Sequence, residues 1–246
     1  MSDANYLTIY SAADLLDAAP PRKPPILDPI LVPGTLALIY GPPGVGKSFF
    51  AMDLALAAAG GGTMLGWSAP RPHRVLYLDG EMRRESVADR LRLFGPPPPS
   101  LHMWLATEHD GEILDLAAPK GIVQLISSWG DTELVIIDSL SSLAGITGGD
   151  PERWSEMRRF LVFQQKMGRA VVVVHHANRD GGLRGIGRRT DAMDIVMALR
   201  RPRDWQPADG ARFELHMEMY RHRALAATLP IKASLCHRAD GRSQLQ

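Results

Sequence analysis

The octapeptide GPPGVGKS carries the most specific chemistry in the chain. It satisfies G-x-x-x-x-G-K-[ST] between a strand-like run and a helix-like run, the context this spacing needs. Gly41, Gly44 and Gly46 let the backbone N–H groups of a loop through Pro42, Pro43 and Val45 converge on phosphate oxygens. Lys47 then reaches the β- and γ-phosphates, and the Ser48 hydroxyl is placed to ligate Mg²⁺. The run LVIID ends in Asp138, where an acid must sit to hold that metal beside the loop. Asn178-Arg179-Asp180 is too short for the guanine-reading N-K-x-D signature and lacks its lysine, so ATP is the expected nucleotide. Asp79-Gly80-Glu81 puts two carboxylates after another strand-like run. A carboxylate there can orient and deprotonate an attacking water, or cap the next helix. The water falls to Glu81 and the cap to Asp79.

These residues need a parallel sheet to bring them together. Strands are expected over 34–40, 75–78, 101–106, 134–137 and 170–174, and helices over 11–19, 47–59, 86–94, 122–129 and 151–167. The helix over 47–59 is apolar nearly all round and should be buried. Asp150-Pro151-Glu152 combines an N-cap acceptor, a first-position proline and an early acid. Phe213, Leu215, Met217 and Met219 alternate with polar residues, as in a half-exposed antiparallel strand. The expected fold is α/β, a central mainly parallel sheet flanked by helices, with antiparallel strands at the C-terminal edge. Residues 1–25 form an arm with a proline-rich linker, and 26–246 form the domain.

Composition sets outer bounds. With 246 residues, 45% hydrophobic and 22% charged, the chain can bury a substantial core. No apolar run has the length of a membrane span, and the N-terminus lacks a secretory pattern. The expectation is a cytoplasmic protein with no membrane partner. A single cysteine, Cys236, excludes a disulfide framework and a multi-cysteine zinc ribbon. The net charge of +1 conceals 13 basic against 8 acidic residues from Arg179 onward. That local surplus suits an anionic partner.

The assembled pattern resembles a RecA-like P-loop NTPase of the branch containing DnaB-like and plasmid RepA-like hexameric replicative helicases. The resemblance implies Glu81 as catalytic base. It also implies His176, in VVVVHHANR, as the residue that senses the γ-phosphate. The segment LRGIGRRTDAMDIVMALRR is similar to the branch's L-R-x-x-G-x-x-x-x-x-A-D-x-V-M-x-L-x-R, with Met193 replacing the alanine. Its first half would face a central channel, where Arg179, Arg184, Arg188 and Arg189 would meet single-stranded DNA. Tyr220-Arg221-His222-Arg223 is similar to a K-x-R pair that completes a neighbour's site, with Arg221 replacing the lysine. Arg201 is a third candidate for that finger. The resemblance implies Mg²⁺-dependent ATP hydrolysis in a homo-oligomeric ring, a hexamer, translocating on or unwinding DNA, with a replication initiator or loader as partner. The alternative is a regulatory or recombination-accessory ATPase that binds DNA or protein without unwinding.

Overall fold

The computed structural model describes residues 9–17, 21, 23–109, 114–118, 130–146, 150–177, 190–221, 230–237 and 242–246. A short helix, α1 (Ala12–Asp17), buries none of its residues. Then come β1 (Leu36–Gly41), α2 (Lys47–Gly60), a two-stranded ribbon of β2 (Thr63–Met64) and β3 (Trp67–Ser68), β4 (Val75–Asp79) and α3 (Arg84–Phe94). β5 (Leu101–Leu105) closes on a 3₁₀ turn over Ala106–Glu108, and β6 (Leu134–Asp138) leads into α4 (Leu140–Ala144). α5 (Pro151–Lys166), β7 (Ala170–His176), β8 (Ile195–Arg200), β9 (Arg212–Tyr220), β10 (Ile231–His237) and β11 (Ser243–Leu245) complete the order.

Among the described residues nine strands form one sheet, in the order β11-β10-β9-β8-β1-β7-β6-β4-β5. From β5 to β8 every neighbouring pair is parallel. β9, β10 and β11 continue it with antiparallel pairs. The parallel strands read as unbroken apolar runs because helices cover both faces. Leu134 and Ile136 of β6 join the core beneath α2, whereas Val135 and Ile137 join the core beneath α4 and α5. All parallel strands therefore end at one edge, the place where ligands lie in such sheets.

The expected strands and helices recur with ends shifted by a residue or two, except for the helix over 122–129, which falls outside the described residues. α2 is buried along most of its length, including Phe50, Met52 and Leu54. The Asp150 carboxylate caps α5, accepting from the backbone N–H groups of Glu152 and Arg153, each at 3.1 Å. Two features were not anticipated. β8 lies inside a segment read for its motif, and it inserts beside β1 as the last parallel strand. β2 and β3 are too short for any hydrophobic period; Gly66, at φ 80°, lies in the turn that joins them.

Candidate active site

The phosphate loop spans the gap from β1 to α2, the first parallel strand and a buried helix. Gly41 cannot carry a side chain, because a Cβ there would lie 2.5 Å from the Leu199 carbonyl oxygen at the end of β8. Gly46 has φ 113°, and its Cβ position is 3.2 Å from the Phe213 ring. Only glycine combines that dihedral with that approach. Lys47 is buried, and its ammonium donates to the carbonyls of Gly41 and Pro42, each at 2.9 Å. Burial draws its pKa down to about 8, opposed by the charges of Asp138 and Glu81.

Asp138 ends β6 beside Asp79, the last residue of β4. Its carboxylate is buried, which raises its pKa, and hydrogen bonds from Tyr77 and Ser48 oppose that rise. The Tyr77 hydroxyl donates to Asp138 Oδ2 at 2.7 Å. A carboxylate joined to a hydroxyl at the start of the phosphate-loop helix is a hard oxygen set. It fits Mg²⁺, which is held by one or two protein oxygens together with substrate phosphates. Among the described residues no group of three or more His, Cys, Asp or Glu could cage a metal without such phosphates.

The two acids at and after the end of β4 have separate contacts. Asp79 Oδ1 accepts from the backbone N–H groups of Glu81 at 2.9 Å and Met82 at 2.8 Å, so it caps the turn. Gly80 allows that turn to lie against α4. A Cβ there would meet Ser142 Oγ, Ser142 Cβ at 2.7 Å and Leu143 Cγ at 2.8 Å. Glu81 projects beyond, half-exposed, and its Oε1 accepts from Ser139 Oγ at 2.5 Å. His176, at the end of β7, brings Nε2 to 3.4 Å from the same oxygen. The His176 contact draws the Glu81 pKa down to about 2, aided by Ser139 and the Lys47 charge and opposed by burial. His175 is buried.

Two expected fingers separate in space. Arg201 donates to the Pro43 carbonyl of its own loop at 3.2 Å, and its guanidinium lies 4.1 Å from the Trp205 ring centroid. Arg221 follows Tyr220, which pairs with Ile195 at the start of β8, and Ile195 pairs with Ala37 near the start of β1. Arg221 therefore sits at the sheet edge opposite the phosphate loop, donating to the Asp191 carbonyl at 3.0 Å. Arg179, Arg184, Arg188, Arg189 and Arg223 lie outside the described residues.

Sequence reasoning missed Tyr77 and Arg90, and it gave Ser139 no role at Glu81. Arg90 lies 4.8 Å over the Phe49 ring, beside the first turn of α2. Its Nη1 is buried without a hydrogen-bond partner among the described residues. Tyr77 did carry a signal, since a phenol in an otherwise apolar strand needs a partner once buried.

A parallel sheet with an antiparallel edge, a phosphate loop after its first strand and acids at the same edge define a RecA-like P-loop ATPase. The family profile described as an AAA domain matches residues 4–182, and the chain belongs to that family. It is also similar to the DNA repair protein RadA of several bacteria. Identity to the Halalkalibacterium halodurans protein is 30% over 167 residues, covering 63% of this chain and 30% of that protein. For Salmonella typhimurium it is 28% over 160 residues, covering 63% and 30%. For Mycobacterium tuberculosis it is 25% over 173 residues, covering 68% and 32%. The matched region thus spans about a third of the length of these relatives. The AAA and RadA similarity supports the RecA-like ATPase reading and leaves the replicative-helicase branch without comparable support. Among the described residues no helix is long and apolar enough to cross a membrane.

Proposed function

We propose that the chain hydrolyses ATP with Mg²⁺ as part of an oligomer that works on DNA. The observation that carries this is the meeting of Glu81, in the turn after β4, and His176, at the end of β7, at one carboxylate oxygen beside the Lys47, Ser48 and Asp138 group. Loop N–H groups and Lys47 bind and orient the triphosphate. Ser48 and Asp138 would hold Mg²⁺, which supplies charge neutralisation for the phosphates when bound. Glu81, ionised, accepts a proton from the water that attacks the γ-phosphorus. His176 exchanges its contact with Glu81 for one with the γ-phosphate, so nucleotide occupancy releases the base.

Two observations support oligomeric action on DNA. Arg221 stands at the edge away from its own phosphate loop, so any nucleotide it completes belongs to another subunit. Relatives named DNA repair proteins favour the recombination-accessory reading over a replicative helicase. Arg179, Arg184, Arg188 and Arg189 are the proposed DNA contacts, and a hexameric ring is the proposed assembly.

Phosphate release measured with and without single-stranded DNA, alongside native mass with an ATP analogue, tests the whole reading. The expected result is a DNA-stimulated rate from a multimer. Replacing Arg184, Arg188 and Arg189 together should weaken DNA binding and flatten its salt dependence while basal turnover survives. A monomer whose turnover ignores DNA would sink the proposal. Processive strand separation would instead restore the helicase reading.

A further inference from the structure

Tyr77 lies in the middle of β4, in register with Ile136, two residues before Asp138 on β6. It is fully buried in the apolar core beneath α2, with the charges of Asp138, Asp79 and Arg90 near its hydroxyl. A phenylalanine would bury nearly the same surface without a hydroxyl to satisfy. The hydroxyl reaches past Ile136 to the carboxylate at the strand end, a diagonal span within reach of an aromatic side chain. It donates to Asp138 Oδ2 at 2.7 Å, while Ser48 also hydrogen-bonds that carboxylate.

We propose that Tyr77 is a positioning residue for the metal. Its hydroxyl fixes the rotation of the Asp138 carboxylate, so that Asp138 and Ser48 meet Mg²⁺ in one prearranged geometry. Groups that orient a metal-binding carboxylate restrict how it meets the ion, and their loss weakens metal binding. Tyr77 touches neither nucleotide nor metal, and it acts only through Asp138. The inference rests on the metal-binding reading of Asp138 given above.

The test is a cycle of Tyr77→Phe, Asp138→Asn and the double variant, each in the full chain with a non-hydrolysable ATP analogue. Mn²⁺ affinity is read from the electron paramagnetic resonance of the free ion. Tyr77→Phe should weaken Mn²⁺ binding by about tenfold. It should add nothing once Asp138→Asn is present, because the carboxylate it positions is gone. Equal weakening in both backgrounds would show a general structural role and overturn the proposal. So would a Tyr77→Phe affinity that matches the parent while Asp138→Asn binds weakly. An Asp138→Asn variant that binds Mn²⁺ like the parent would instead overturn the reading of Asp138 and remove the basis for Tyr77. Should Tyr77→Phe fail to fold, 3-fluorotyrosine at position 77 gives a fluorine resonance that must shift when Mg²⁺ and analogue bind. An unmoved resonance overturns the proposal.

Discussion

Glu81 is ionised at any working pH, because His176 and Ser139 hold its pKa near 2. In the proposed role of base, its readiness is set by who else holds the oxygen rather than by protonation. Glu81→Gln removes the proton acceptor and keeps the shape. Nucleotide binding should survive, while phosphate release falls by about 10²–10⁴-fold, the usual worth of a positioned base. Wild-type turnover in that variant would retire the assignment. Asp53 makes a different point in α2. It is buried and accepts from the Leu245 N–H at 3.2 Å, and burial raises its pKa to about 6. A folded-state pKa above the unfolded one means the fold binds this proton more tightly. The group's contribution is therefore fully present below about pH 4 and is lost as pH rises through 6. Asp53→Asn removes the buried charge, so it should stabilise the protein at pH 7.5 by about 2–3 kcal/mol. The gain should shrink at pH 5. Denaturant midpoints at both pH values check this, and a gain independent of pH would refute it.

At the scale of elements, the site depends on how closely the strand-end turns approach one another. The turn after β4 rests on α4 only because residue 80 has no side chain. Gly80→Ala would force that turn outward against Ser142 and Leu143, carrying Glu81 away from Ser139 and His176. The phosphate loop lies on β1 and α2 and is untouched by that shift. Turnover should therefore fall by at least about 10²-fold, since misplacement of this size is that damaging. Affinity for a fluorescent ATP analogue should change little. Equal losses in both would mean the turn also shapes the nucleotide pocket. Thr107 adds a second restraint, because its hydroxyl donates to the Met82 carbonyl at 3.0 Å from the turn after β5.

At the scale of the molecule, one chain carries the phosphate loop and Arg221, the proposed finger, at opposite edges of the sheet. About 13 Å of strand separates the register of Ala37, level with Tyr220 just before Arg221, from Gly41, where the phosphate loop starts. Neither end can fold back on the other without breaking the sheet. If neighbours complete one another, subunits with Arg221→Ala and Arg223→Ala should bind ATP and turn it over slowly. Arginine fingers supplied from outside are worth about 10³–10⁵-fold in rate. Mixing these subunits with Glu81→Gln subunits should restore part of the activity, because some interfaces then pair one intact Glu81 with intact arginines. No recovery in oligomers shown to be mixed would place the fingers elsewhere.

The phosphate loop was legible residue by residue because its chemistry is local. Glycines, lysine and hydroxyl act within eight consecutive positions, and the flanking apolar runs announce a strand and a helix. The same holds for β6 and β7, whose unbroken apolar runs can exist only in a sheet covered on both faces. The division of labour between Asp79 and Glu81 was a preference in the sequence, and the tertiary structure decided how each is held. One acid turns back to its own backbone, and the other meets the serine just after β6 and a histidine at the end of β7. Arg201 and Arg221 were both candidate fingers in the sequence. Strand direction separated them, placing one on its own phosphate loop and the other at the far edge. Tyr77 remained silent for the same reason. Its partner is 61 residues away, and only the parallel register of β4 with β6 brings a phenol and a carboxylate onto one face.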